Sequence, residues 1–380
     1  MSSPTSSDLL RYIAVNSLHP TPHTLFSVST AVNEYKRLSE LIPADIWFAV
    51  KAAPLPELLT ALAELGCGAD VASPAEVELC LKTGIPAESI SYGNPIRSQS
   101  EIVQTAAFGV RTWVVDTELE VQRLAEWAPG SRVILRLANG GIGADWPLSY
   151  RFGCAPSEAR RLAREADKLD LEVIGLCWHV GSQQRNIHAW DAPLEKAAAL
   201  WKDLAKDGIH LSLLNLGGGL PAFCYSSEVP PIEQFASAIL AALDKHFPSR
   251  PQLAIEPGRA LTAASGVTVV EVKAIADRPD GKRYVFLNGG LFSIGLIESV
   301  NDAVRYNIEA IDYPTGVPTS PVVITGPSCD SFDTLTPLYR LPAELKVGDR
   351  IAIWGTGSYT WPYAAQQFNG HVPAPVVAIL

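Results

Sequence analysis

Between residues 46 and 255, eight short apolar runs alternate with amphipathic helical stretches, and that order leaves few folds open. The first run, Ile46-Trp47-Phe48-Ala49-Val50-Lys51, is apolar on both faces, as in a strand covered on both sides. It ends in a lysine, which in isolation reads as an ammonium snorkelling from a strand end. Residues 55–65 then predict a helix closed by Gly66, residues 67–72 a second strand, and Ser73-Pro74-Ala75-Glu76 a helix start with proline in its first turn. The series continues through strands at 89–92, 112–115, 132–137, 172–179, 211–216 and 252–255. Helices from Ser98 and Thr117 and at 157–169, 189–206 and 232–246 lie between them. Such alternation requires parallel strands joined by right-handed crossovers. Eight units in 210 residues match a closed (β/α)8 barrel better than an open doubly wound sheet, and a helix over 30–41 supplies the eighth helix.

After Arg259 the pattern changes to β-type runs at 267–272, 284–287, 321–324 and 351–354, with few helices between them. The expected organisation is an α/β barrel domain over 25–260 and a mostly β domain built from 1–24 and 261–380, to which the apolar patch at 9–15 adds a strand. With 47% hydrophobic and 18% charged residues the chain is expected to fold throughout. A net charge of −10 without any basic block argues against nucleic acid as a partner. The first residues lack the cationic and apolar parts of a secretory signal, and no apolar run approaches the roughly eighteen residues a membrane helix needs. Six cysteines without a C-x-x-C pair suggest neither a metal site nor a disulfide framework, so a reducing, cytoplasmic setting is expected.

In a barrel, reactive groups collect where the strands end. Those ends carry Lys51, Asp70, Asn94, Arg136, His179 with Gly181-Ser182, Gly217-Gly218-Gly219, and Glu256-Pro257-Gly258-Arg259. Three glycines after strand 7 and a Gly-Arg pair after strand 8 present backbone and guanidinium donors where this fold commonly binds phosphate. A lysine, a phosphate cradle, a histidine able to stack on a ring and an acid facing it are the parts that a pyridoxal phosphate site requires. Desolvation at the mouth is expected to favour the neutral, nucleophilic lysine.

The motifs Phe48-Ala49-Val50-Lys51-Ala52, Cys177-Trp178-His179-Val180-Gly181-Ser182, Leu216-Gly217-Gly218-Gly219, Glu256-Pro257-Gly258-Arg259, Gly326-Pro327-Ser328-Cys329-Asp330-Ser331-Phe332-Asp333 and Gly357-Ser358-Tyr359-Thr360 occur in that order. Together they resemble the pyridoxal phosphate decarboxylases of the alanine racemase fold, over about residues 25–380 and closest to the ornithine decarboxylase branch. The resemblance implies that Lys51 carries the cofactor as an imine, that His179 stacks on its ring and that Glu256 pairs with the pyridine nitrogen. It assigns the phosphate to Ser182, Gly218, Gly219, Gly258, Arg259 and Tyr359, with Asp70 and Arg136 orienting the lysine and the ring substituents. Tyr359 would also border the substrate. It implies a homodimer with shared sites, in which Cys329 and Asp330 from the neighbouring subunit reprotonate the substrate carbon and grip its distal ammonium.

Asp330 also bears on the substrate. Diaminopimelate decarboxylases usually have glutamate directly after that cysteine, whereas an aspartate without an extra arginine cluster points to a basic L-amino acid, ornithine or lysine, as the small-molecule partner. The second amine-binding acid is expected within 290–306, where Glu298 and Asp302 both qualify. Two departures stand out: Ala53 replaces the asparagine usual two residues after the lysine, and Trp361-Pro362 follows the Tyr359 motif. An amino-acid racemase is the first rival, disfavoured because racemases typically set arginine against the pyridine nitrogen. A non-catalytic regulator on the decarboxylase fold is the second, disfavoured because the main cofactor residues are all present.

Overall fold

The structure, a computed structural model, describes residues 6–148 and 151–380. It divides into two compact units, one of Tyr35–Pro221 with Val229–Ala260 and one of Met1–Glu34, Ala222–Glu228 and Leu261–Leu380.

In the first unit eight parallel strands close into a barrel. They are β1 (Asp45–Ala49), β2 (Gly68–Val71), β3 (Ile90–Tyr92), β4 (Thr112–Val115), β5 (Arg132–Arg136), β6 (Glu172–Cys177), β7 (Leu213–Asn215) and β8 (Gln252–Ile255). Ala254 and Ile255 of β8 pair in parallel with Asp45 and Ile46 of β1 and so shut the seam. Seven helices alternate with the strands, and the helix Val28–Leu41, which begins outside this unit, precedes the first. Helix starts follow the sequence: the Ser73 hydroxyl accepts from Glu76 N–H with Pro74 in the first turn, Ser98 and Glu101 form a reciprocal capping box, and Thr117 accepts from Glu120 N–H. Trp47, Val114, Ile134, Ile174, Cys177, Leu213 and Ala254 pack together as the barrel's apolar filling.

The second unit is an eight-stranded sheet in the order Asn307–Ala310, Arg350–Trp354, Gly266–Asp277, Arg283–Leu287, Thr319–Thr325, Thr334–Pro342, with His23–Ser27 pairing both Gly266–Asp277 and Val376–Ile379. The runs expected at 267–272, 284–287, 321–324 and 351–354 all fall within strands. The patch at 9–15 does not. It lies in a helix, Ser6–Asn16, with Leu10 and Ala14 one turn apart and packed against Leu25, Val267 and Ala352. The i, i+4 spacing of those two residues is a helical signature that a short apolar run conceals. Among the described residues no helix is long and apolar enough to cross a membrane, all six cysteines are free, and no group of side chains could hold a metal ion.

One buried ion pair braces the barrel wall. Arg97, 2% exposed, donates from Nε to Glu120 Oε2 at 2.8 Å and from Nη2 to the Val114 carbonyl at 2.8 Å, with its guanidinium 5.5 Å from the Tyr92 ring and 5.4 Å from the Trp113 ring. Glu120 also accepts from the partly exposed Arg123 Nη1 at 3.0 Å, so losing Arg97 leaves the carboxylate with one partner in place of two, which costs about 1–3 kcal/mol. Arg97→Met should therefore lower the thermal midpoint by several degrees, and Arg97→Met combined with Glu120→Leu should recover part of the loss. A double variant no more stable than the single one would show that packing, not the under-paired carboxylate, dominates.

Candidate active site

Barrel closure carries the C-terminal ends of the strands to one rim, and the sequence-predicted residues of this unit meet there. Lys51 lies in a single 3-10 turn, Val50–Ala52, directly after β1. Its Nζ donates to Asp70 Oδ2 at 2.7 Å. Asp70, in β2, is 3% exposed and Lys51 48% exposed in their side chains, so the pair joins a buried anion to a cation at the edge of solvent. The other Asp70 oxygen, Oδ1, is buried without a hydrogen-bond partner. A Cβ on Gly93 would fall 1.9 Å from that oxygen, so the residue after β3 must be glycine for Asp70 to lie where it does. Asn94, by contrast, is spent on its own turn, accepting from Ile96 N–H and donating to the Ala72 carbonyl.

His179, two residues past β6, accepts from Gly181 N–H on Nδ1 at 2.9 Å. A lone pair committed there fixes the neutral tautomer with its proton on Nε2. Burial, reinforced by the positive charges of Arg136 and Lys51, lowers its pKa to about 3, so the ring stays uncharged at neutral pH. Gly218, after β7, packs so close that a Cβ there would lie 3.0 Å from His179 Nε2 and 2.8 Å from the Glu256 carbonyl oxygen. Ser182 Oγ, 3.0 Å from Arg259 Nη2 and 3.2 Å from its Nε, accepts from that guanidinium, which is buried beside Gly258. Arg136, the last residue of β5, has its guanidinium 5.1 Å from the centre of the Phe152 ring. Gly153 in the same loop is pinned by its N–H to Asp116 Oδ2 at 2.7 Å.

Glu256 follows β8 and accepts on Oε1 from Asn215 Nδ2 at 2.5 Å. Burial and the nearby Asp70 charge push its pKa up to about 7, against the opposite pull of Lys51, the Asn215 hydrogen bond and Arg136. Asn215 and Gly93 are functional neighbours that the sequence reading passed over. The signal for Asn215 was a polar residue closing the buried run Leu213-Leu214, since a fully buried amide must find partners. A third is Glu76, which accepts from Ala72 N–H at 2.7 Å and feels the charges of Lys51 and Asp70, its own pKa raised by burial.

The remaining predicted residues belong to the β unit. Cys329 and Asp330 are exposed, Cys329 N–H donates to Asn369 Oδ1 at 3.0 Å, and Asp330 Oδ1 accepts from Phe332 N–H at 2.9 Å in a local turn. The loop is held by Asp333, which is buried and accepts from Leu291 N–H at 2.7 Å and Ser328 N–H at 3.0 Å. Glu298 is buried in the 3-10 turn Ile297–Asp302, whereas the side chain of Asp302 lies outside the described residues. Tyr359 holds a left-handed backbone, φ 54°, an uncommon conformation for a bulky residue and one that concentrates at functional sites. Trp361 opens the short turn after it, and Ala53 is buried.

The arrangement offers an amine beside a carboxylate, a neutral imidazole, a buried acid of raised pKa and a set of anion donors on one rim. Comparison with known proteins gives the same picture. Residues 27–263 match the family described as pyridoxal-dependent decarboxylase, pyridoxal binding domain. The chain is 31% identical over 361 residues to a lysine/ornithine decarboxylase of Selenomonas ruminantium, covering 94% of this chain and 89% of the relative. It is also 31% identical over 368 residues to antizyme inhibitor 2 of Xenopus laevis, covering 91% of this chain and 78% of that one. The crystal structure of a lysine/ornithine decarboxylase from Vibrio vulnificus, complexed with putrescine, superposes with a TM-score of 0.87 at 27% identity, covering 99% of both chains. The chain belongs to the pyridoxal-dependent decarboxylases, lyases that work with pyridoxal phosphate.

Proposed function

We propose that this chain decarboxylates a basic L-amino acid, L-ornithine or L-lysine, to the corresponding diamine and CO2. The observation that carries the reading is the rim on which Lys51, Asp70, His179, Arg259 and Glu256 converge. The donor set fits the cofactor. Arg259 and Ser182, with the glycine backbone of Gly218, Gly219 and Gly258, suit a phosphate, to which the resemblance adds Tyr359, and a neutral imidazole suits stacking on a heteroaromatic ring. A carboxylate poised to ionise suits a basic ring nitrogen. Bound pyridoxal phosphate supplies the electron sink that accepts the bonding electrons as CO2 leaves.

The chain's own residues would do the rest. Lys51 Nζ would hold the cofactor at its aldehyde carbon, with Asp70 Oδ2 orienting the nitrogen. Glu256 would face the ring nitrogen and favour its protonated form, and Arg136 would orient the ring substituents. Cys329 Sγ holds the proton delivered to the substrate α-carbon, and Asp330 with Glu298 or Asp302 pairs with the distal ammonium. Exposure of both Cys329 and Asp330 on one loop supports a homodimer in which that loop completes the partner's site. The preference for ornithine or lysine over diaminopimelate rests on Asp330 and on the lysine/ornithine decarboxylase relative.

A second reading, a non-catalytic regulator, is favoured by one observation, the similarity to a protein named as an inhibitor. Purified protein should show the absorbance of lysine-bound cofactor and release CO2 from L-ornithine or L-lysine but not from their D-forms. Lys51→Ala should abolish the band and lower turnover by more than roughly a thousandfold. A colourless protein indifferent to added cofactor would favour the regulator. Asp330→Ala should raise KM for the basic substrates about tenfold to a hundredfold, the worth of a charge-assisted hydrogen bond, with the band intact. An unchanged substrate preference would remove Asp330 from the recognition site. Mixing and re-associating Lys51→Ala with Cys329→Ala subunits should restore roughly a quarter of wild-type activity, since each mixed twofold dimer keeps one complete site. No recovery on mixing would mean that each chain completes its own site.

A further inference from the structure

We propose that Asn215 is a positioning residue for Glu256, fixing both the direction and the charge of that acid and thereby how strongly the bound cofactor draws electrons. The inference rests on the assignment of Glu256 to the ring nitrogen. Asn215 ends β7 and is fully buried. Its Oδ1 accepts from Gly217 N–H at 2.9 Å, which settles the orientation of the amide, because the reversed group would set two donors face to face. The NH2 group must then face Glu256, and it does, at 2.5 Å from Oε1.

An NH2 group can only donate, so it stabilises the carboxylate form of its partner. The groups facing Glu256 from the other strands are Asp70 from β2, Lys51 beyond β1, Arg136 from β5 and the Cys177 thiol from β6. Asp70 and burial oppose ionisation, Lys51 and Arg136 favour it, and the amide is the neutral member that tips the set toward the anion. The same side chain couples the acid to the glycine turn, since Glu256 N–H donates to the Gly217 carbonyl at 3.0 Å while Gly217 N–H holds Asn215. Acid and turn are therefore registered to each other through one amide. An aspartate at this position would set a second carboxylate against Glu256, and the pair would share a proton.

Four proteins decide the matter: wild type, Asn215→Leu, Asn215→Asp and Glu256→Gln. Each is measured as cofactor-free protein by thermal melting against pH and as holoenzyme by kcat and KM against pH. Folding raises the Glu256 pKa above its ordinary 4.5, so its contribution to stability is full below that value and lost as pH rises through about 7. In Asn215→Leu that loss should move to higher pH and grow, and in Glu256→Gln it should vanish. In the holoenzyme Asn215→Leu should lower kcat roughly tenfold to a hundredfold with KM within about twofold. Asn215→Asp should work on the acid side, where a protonated carboxyl imitates the amide, and fail as pH rises. Should Glu256→Gln decarboxylate as fast as wild type, the assignment of Glu256 itself falls. If Glu256→Gln fails while Asn215→Leu matches wild type in kcat, pH profile and cofactor-free melting, only the role of Asn215 is overturned.

Discussion

The partly buried carboxylate of Glu256 is the constraint on which the rest of the rim depends. An acid in this position is tolerable only if other groups hold it, and here the holding groups line the proposed cofactor site. Burial and the like charge of Asp70 raise the pKa toward neutrality, while Lys51 and Arg136 supply opposite charge and Asn215 a hydrogen bond. Poise between the protonated and ionised states makes the acid responsive to what binds beside it.

Barrel geometry explains how residues more than 200 positions apart come to share that balance. Each strand spends most of its side chains on the apolar filling or on the helical layer, and the polar residues gather at or near its end. Asn215 and Arg136 end their strands, while Lys51, His179 and Glu256 sit one or two residues past theirs. The turns are themselves stiff. Gly217 at φ 69° and Gly219 at φ 118° take backbone conformations closed to most residues, and side chains at Gly93 or Gly218 would displace Asp70 or His179. The rim is therefore preorganised by backbone packing before any ligand arrives.

Much of this was legible in the sequence because two periodicities coincide: apolar runs doubly covered mark barrel strands, and polar residues cluster at their ends. Lys51, His179 and Glu256 were found that way. The helix at Ser6–Asn16 was missed because a short apolar patch fits either period. Gly93 and Asn215 were missed for a different reason. Their roles lie in what touches them across neighbouring strands, and strand register is not written in any one segment. Lys51 lies at the end of β1 as the sequence placed it, but its exposure depends on how far the 3-10 turn projects it, which no strand pattern records.

Charge completes the account. The chain as a whole carries −10, yet the rim sets Lys51, Arg136 and Arg259 among Asp70, Glu76 and Glu256, a formal balance that tips positive whenever Glu256 is protonated. Within a Debye length of roughly 8 Å it is this local set, not the net charge, that an approaching anion feels. A phosphate-bearing cofactor is thus drawn by the mouth though not by the surface at large. Its arrival would also reverse the burden on Glu256: a protonated ring nitrogen adds a third opposite charge, and the acid that burial had raised toward neutrality would be drawn back to its anionic form. Cofactor binding and Glu256 ionisation are then linked, each favouring the other, and the hydrogen bond from Asn215 works in the same direction as both.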